Sequence, residues 1–158
     1  LFKLDDKSAT LEASVDEATL AAAKDVLKDD EFVVLQGKVQ HDHFSGGLRI
    51  KATQVWSLAD ARSRLARYWQ VQAPAHIELA PASARLLQTY PAPLEVGQDG
   101  STLARGLRLR IVVQCKGADG QAEVELDFGP EHVFYPSDAA LADWRSVVGS
   151  SACQVVWR

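Results

Sequence analysis

The sequence predicts a mainly β protein with α+β character. Three observations support this fold class. Gly46-Gly47 form a tight turn between two strand-like runs, and the loop Gly117–Gly120 joins a second pair of alternating runs. Short segments with helical spacing separate the two hairpins. Of the 158 residues 47% are hydrophobic, which is enough for one packed domain or two small ones.

The chain begins with a predicted β-hairpin and a helix. The runs Leu1–Leu4 and Thr10–Val15 flank the polar turn Asp5–Ser8, whose aspartates are typical of Asx turns. Asp16 is placed to cap a helix that ends at the charged residues 28–30. The apolar positions of this helix are Leu20, Ala23 and Leu27.

The next two strands meet at the Gly-Gly turn. The first covers Glu31–Val39, and the second alternates apolar with polar residues after Gly47. Its apolar positions are Leu48, Ile50 and Ala52, and its polar positions are Arg49, Lys51 and Thr53. The outward face of this strand is therefore predicted to be basic.

A helix capped by Ser57 is predicted from Leu58 to about Tyr68. The segment Gln70–Pro93 contains four prolines and little periodicity, so we place a domain boundary near its start. This predicts a first domain over residues 1–69 and a second over residues 70–158.

The second domain is predicted to be α+β. Its hairpin pairs residues 107–113 with residues 122–128, and a symmetric loop places Arg110 opposite Asp127. A short strand over residues 132–135 precedes a helix that Ser137 caps, that Gly149 ends, and on which Trp144 faces inward. The run Cys153–Arg158 is open to two interpretations, a last edge strand or an exposed tail offered to a partner.

Composition restricts the classes of function. The net charge of −4 gives no overall attraction to nucleic acid, so such binding requires a local patch. Cys115 and Cys153 are predicted to be buried free thiols, in keeping with a cytoplasmic location. No apolar run approaches the roughly 20 residues that cross a bilayer. Because methionine is absent, we expect the chain to be part of a longer product.

Motifs of common enzymes are absent from the sequence, which has no Walker loop, GxSxG or HExxH. His41 and His43 alternate along a strand and could face one metal ion, but further ligands have no obvious source nearby. Asp5 and Asp6 are interpreted as a solvated turn rather than a metal pair. No cofactor is therefore predicted.

The order strand, strand, helix, strand, strand is that of an OB-fold, a five-stranded barrel that binds oligonucleotides, with its first strand missing from this chain. Residues 40–47 then form the loop between the fourth and fifth strands. His43 and Phe44 are placed to stack on bases, and lysine and arginine side chains to meet phosphates. The candidate nucleic-acid-binding residues are Lys3, Lys38, His41, His43, Phe44, Arg49 and Lys51.

Three segments together resemble the C-terminal region of the bacterial DNA polymerase III alpha subunit family. Residues 4–13 read LDDKSATLEA, residues 42–49 read DHFSGGLR, and residues 60–64 read DARSR. These are similar to the LDD-x-S turn, the D-x-FSGGL loop and the helix start of that family. The run YPSDAAL over residues 135–141 resembles the end of the same subunit.

The resemblance implies an accessory role in DNA replication. In that family the OB domain holds single-stranded template DNA, and the last domain docks on the tau subunit of the clamp loader, with the sliding clamp as a further partner. The candidate partner-binding residues are Trp144, Gln154, Val155, Val156 and Trp157. The polymerase activity of the full-length protein would reside in upstream domains, so no catalytic residue is expected here.

Two alternatives remain open from the sequence. One is a protein-interaction module whose OB domain no longer binds nucleic acid, which net acidity favours. The other is an OB module of a tRNA-binding enzyme, which would prefer RNA over DNA and leave the second domain without a role.

Overall fold

The structure is a computed structural model that describes residues 1–42, 46–74 and 78–158. It is mostly β, with 46% of residues in strands and 26% in helices, which confirms the predicted fold class. The chain divides into two compact units, unit 1 (Leu1–Leu58) and unit 2 (Ala59–Arg158). The predicted domain boundary lies further along the chain, at residue 69.

Unit 1 contains a four-stranded sheet and one helix. Its elements are β1 (Phe2–Asp5), β2 (Thr10–Ser14), α1 (Glu17–Ala23), β3 (Val33–His41) and β4 (Leu48–Ser57). The sheet order is β1-β2-β4-β3. The pairs β1/β2 and β3/β4 are antiparallel, whereas β2 and β4 are parallel. Both predicted hairpins and the predicted element order are therefore confirmed.

Local hydrogen bonds explain the turn between β1 and β2. The Lys7 N–H donates to Asp5 Oδ1 at 2.7 Å, and the N–H groups of Ser8 and Ala9 both donate to Asp6 Oδ1 at 2.9 Å. The Ser8 hydroxyl, which also donates to Asp6 Oδ1, and the N–H groups of Ala9 and Ser8 lower the pKa of the Asp6 carboxyl to about 2. The predicted Asx turn is confirmed.

Helix α1 begins as predicted and ends early. The Asp16 carboxylate accepts a hydrogen bond from the Thr19 N–H at 2.7 Å, which is the expected N-cap. The helix was predicted to reach Leu27 but ends at Ala23. There the Val26 N–H donates to the Ala23 carbonyl three residues earlier, a bond of the 3-10 type that tightens the last turn of the helix. The predicted apolar face is only partly buried, since Leu20 is 50% exposed.

Unit 2 is built around a second sheet. The elements of this part of the chain are α2 (Leu58–Leu65), β5 (Ala66–Pro74), α3 (Leu79–Thr89), β6 (Leu94–Val96), β7 (Thr102–Ala104), β8 (Leu107–Gly117), β9 (Gly120–Asp127), β10 (Val133–Phe134), α4 (Asp138–Val148) and β11 (Cys153–Trp157). The sheet order is β10-β8-β5-β11, with β9 also paired to β8. The central strands β5 and β8 are parallel, and β6 and β7 form a separate small hairpin.

The predictions for residues 66–89 are wrong in two places. The predicted helix to Tyr68 ends at Leu65, and the residues that follow form β5, a central strand. Its core-facing side chains Trp69, Val71 and Ala73 are fully buried, so tertiary packing overrides the helical spacing. The segment predicted to be irregular also contains α3, in which Pro81 occupies the first turn and needs no N–H partner.

Most of the remaining predictions for this part of the chain are confirmed, and the burial of the two cysteines is the exception. Strands β8 and β9 form a hairpin in which Arg110 lies opposite Asp127. The Ser137 hydroxyl caps α4 by accepting from the Ala140 N–H, and the helix ends at Gly149. Cys153–Trp157 forms the edge strand β11 rather than a tail. Cys115 and Cys153 are free thiols, but both are half-buried rather than fully buried as predicted.

The hydrophobic core of unit 2 lies between its sheet and the helices α3 and α4. Its largest fully buried side chains include Trp69, Leu109, Phe134, Leu141 and Trp144. Among the residues that the structure describes, no helix is both long enough and apolar enough to span a membrane.

Candidate functional site

Strand register brings four of the predicted cations onto one side of the sheet of unit 1. Lys3 pairs with Glu12, Glu12 pairs with Arg49, and Lys38 pairs with Lys51. Residues in register share a face of a sheet, and so do residues two apart on one strand. We call this surface the basic face, defined by Lys3, Lys38, Arg49 and Lys51. Asp5 lies on the same face at the end of β1, where its negative charge is close to Lys3. The positive charge of the basic face is therefore concentrated on β3 and β4.

Arg49 is held by two carboxylates. Its Nη2 lies 2.9 Å from Glu12 Oε2 and 3.0 Å from Asp42 Oδ2, and the Asp42 side chain is only 7% exposed. The guanidinium therefore ties β2 to β4 and to the end of β3. Its charge is compensated within unit 1. Among the described residues, none of the three lysines of the basic face forms an ion pair, although the positive charge of Lys51 helps to lower the pKa of Asp16.

Lys38 and Lys51 lie directly opposite each other on β3 and β4, and both are exposed. Like charges at opposed positions destabilise a sheet. Gly37 helps to create this geometry, because a Cβ at that position would lie 2.3 Å from the Lys51 carbonyl oxygen. The close approach occurs at a register shift between Gln36 and Gly37. An anion bound between the two ammonium groups would relieve their repulsion.

The other candidates of the first domain do not join this surface. His41 pairs with Leu48, which puts it on the face opposite to the one that carries Arg49. Side chains alternate between the two faces along β3, so His41 lies on the face opposite to Lys38 and to its partner Lys51. His43 and Phe44 lie outside the described residues, so their predicted contact with bases stays a prediction.

The predicted partner-binding residues divide between the core and the edge of unit 2. Trp144 is 1% exposed, so its indole offers no surface to a partner and its role is in packing. On β11, Val155 packs against the core opposite Trp69, Gln154 is exposed, and Trp157 is 48% exposed. Of the five candidates, the four on β11 therefore form the edge of the sheet.

A cluster of arginines around one tyrosine was not predicted as a unit. The guanidinium carbon of Arg110 lies 3.8 Å from the centroid of the Tyr68 ring, and those of Arg67 and Arg108 lie at 5.3 and 5.6 Å. Arg110 also contacts Glu125 at 3.2 Å and Asp127 at 3.4 Å, in agreement with its predicted position opposite Asp127. Alternation along β8 indicates an outward-facing Arg108, but no sequence signal relates it to Tyr68 on β5.

The environment of Cys153 determines the protonation state of its thiol. Partial burial raises the pKa of its thiol to about 11, although the nearby positive charge of Arg145 acts in the opposite direction. The thiol is therefore protonated and weakly nucleophilic at neutral pH. Arg145 itself lies over the ring of Trp69, at 5.4 Å from its centroid.

Sequence comparison finds relatives over nearly the whole chain. The chain is 30% identical to the DNA polymerase III subunit alpha of Neisseria meningitidis serogroup B over 156 residues, which is 98% of the chain and 12% of that protein. It is 28% identical to the subunit of the same name from Escherichia coli K12 over 152 residues, or 96% of the chain and 12% of that protein. Against the Pseudomonas aeruginosa subunit the identity is 49% over 63 residues, or 40% of the chain and 5% of that protein.

The chain thus spans about an eighth of the length of the relatives that align with nearly all of it. No family model matches it. No solved structure gives a significant match.

Proposed function

The chain belongs to the family of the bacterial DNA polymerase III alpha subunits, as a homologue of a segment of them, and from this premise we propose that it serves DNA replication without catalysing it. In this proposal it is the C-terminal, non-catalytic part of an alpha subunit in the bacterial cytoplasm. Unit 1 binds single-stranded template DNA. Unit 2 docks the tau subunit of the clamp loader.

One observation carries the DNA-binding half of the proposal. Lys38 and Lys51 lie opposite each other on a face that also carries Lys3, so three exposed lysines share one sheet surface. Backbone phosphates are the ligands that such a surface attracts, at a free energy that depends on salt. The element order supports an OB-type unit, in which His43 and Phe44 would add base stacking from the loop next to β4.

A titration with labelled oligo-dT, followed by fluorescence polarisation at several salt concentrations, tests this half. Lys51→Gln and Lys38→Gln should each weaken binding and reduce the slope of log K against log salt by about 0.7, the value for one phosphate contact on a single strand. Lys28→Gln is the matched control, because it removes one exposed lysine of unit 1 outside the basic face. Equal effects of all three substitutions would contradict a defined DNA site.

The docking half is supported by β11, an open edge strand with an exposed Trp157. Calorimetric titration of the 158-residue chain with the C-terminal domain of tau from the same bacterium tests it. Saturable one-to-one binding is expected. Its absence with a demonstrably folded chain would refute tau docking and leave the DNA-binding proposal intact.

A second candidate function is a protein-interaction module that has lost DNA binding, and the state of Arg49 favours it. Two carboxylates already compensate the guanidinium, where a DNA-binding surface would leave it available. The same oligonucleotide titration separates the two functions. A folded chain with no measurable affinity at low salt would favour the interaction module.

A further inference from the structure

The two edges of the sheet of unit 2 differ in charge. Strand β9 forms one edge and carries Glu123, Glu125 and Asp127. Strand β11 forms the other edge, and no residue of Cys153–Trp157 is charged. In the part of the chain that the structure describes, β11 pairs with β5 alone, so its outer backbone groups are open. Charged side chains protect many natural sheet edges from pairing, and β11 lacks them.

The surroundings of β11 are basic. Arg67 lies on β5 between Ala66 and Tyr68, the partners of Trp157 and Val156, and its side chain is exposed. Residues 144–158 contain no Asp or Glu. Two more exposed arginines flank the strand, Arg145 on α4 and Arg158 directly after β11. These arginines give the edge formed by β11 a positive charge, which is the sign that attracts an acidic chain.

The same strand also offers an apolar contact. Trp157 is 48% exposed although it belongs to a strand whose neighbour Val155 packs on the core. Half-exposed indoles at the end of an open edge are well suited to hold an apolar side chain of a partner. An open backbone edge and an aromatic anchor are therefore present on β11, and positive charges are present on residues that flank it.

We propose that β11 accepts an extended acidic segment of a partner protein as an additional strand of the sheet. This inference rests on the docking half of the proposed function and names the chemistry of the docked segment. Main-chain hydrogen bonds supply affinity in such strand addition, and side-chain contacts supply specificity. An acidic partner fits better than a second copy of the chain, which would bring its own arginines to the same edge.

Charge substitutions on the edge test the proposal in the full chain with the C-terminal domain of tau as the probe. Gln154 is an exposed residue of β11, so Gln154→Glu should weaken binding at least about fivefold by repulsion from an acidic partner, whereas Gln154→Lys should leave binding unchanged or make it stronger. Gln121→Glu makes the same change on the opposite edge, in β9, and should have no effect. Hydrogen exchange should show new protection of amides in residues 153–157 on binding.

The outcomes distinguish this inference from the docking proposal itself. Binding without added protection over residues 153–157 would overturn strand addition while tau docking stands. Equal weakening by Gln154→Glu and Gln154→Lys would show that the docked segment is not acidic. No binding at all would overturn both. Protection of β11 that rises with the concentration of the chain alone would assign the edge to a second copy and overturn the partner proposed here.

Discussion

Unit 1 buries only small apolar side chains among its described residues, whereas unit 2 buries large aromatic ones. The buried apolar residues of unit 1 are Ala13, Ala23 and Ala52. The buried aromatic residues of unit 2 include Trp69, Phe134 and Trp144. Because full burial of a large apolar side chain contributes about 1.5–3 kcal/mol, the packed core stabilises unit 2 far more than unit 1. Unit 1 relies instead on strand pairing, the Asp6 turn, the Asp16 cap and the ion pairs of Arg49.

The largest expected effect tests the core of unit 2. Trp144→Ala should lower the free energy of unfolding of this unit by about 3–5 kcal/mol, the usual cost of truncating a buried tryptophan. Trp157→Ala is the matched control, since half of that side chain is already exposed. Urea unfolding followed by circular dichroism measures both. Similar losses for the two variants would show that the core does not dominate the stability of unit 2.

An intermediate effect on stability is expected in unit 1, where the backbone at Gly37 lies very close to β4. Gly37→Ala should destabilise the sheet by about 1–3 kcal/mol, because its Cβ would meet backbone atoms of Lys51 and Ala52. Gly117→Ala is the control, since its Cβ would find its nearest neighbour at an ordinary 3.8 Å. Hydrogen exchange of the unit 1 amides measures the effect. Equal exchange rates in the two variants would show that the close approach at Gly37 does not determine the stability of this sheet.

The smallest effect concerns acid pH. The folded-state pKa of Asp6 is lowered to about 2, so its contribution to stability is complete above the unfolded value of roughly 4 and is lost as the pH falls towards 2. The hydrogen bond from the Thr19 N–H lowers the pKa of Asp16 as well. Carboxyl titration by NMR should place Asp6 near 2, and Asp6→Asn should remove its share of the pH dependence. A titration of Asp6 near 4 would refute the turn as a source of stability.

Features set by neighbouring residues were predictable from the sequence. The hairpin of β8 and β9 fixes its own register, so the pairing of Arg110 with Asp127 followed from the loop between them. The caps at Asp16 and Ser137 are equally local. Strand β5 was missed because its partners β8 and β11 lie far along the chain, and nothing within residues 66–74 indicates them.

For the basic face, too, the local pattern was predictable and the contacts between distant segments were not. Alternation after Gly47 correctly indicated that Arg49 and Lys51 share a side of β4. The ion pair of Arg49 with Glu12 requires the parallel pairing of β2 and β4, which no local pattern reveals. The sequence therefore located the cations but not which of them are compensated.

The pairing of β5 also bears on how the protein is made. Both neighbours of this strand follow it in the chain, β8 after α3 and β11 only at residues 153–157. At synthesis rates of roughly 5–20 residues per second, about 4–17 s pass between completion of β5 and completion of β11. The sheet of unit 1 needs only the first 57 residues. During translation unit 1 can therefore assemble while β5 still lacks both partner strands, and in that interval its apolar face and two open edges are prone to aggregation.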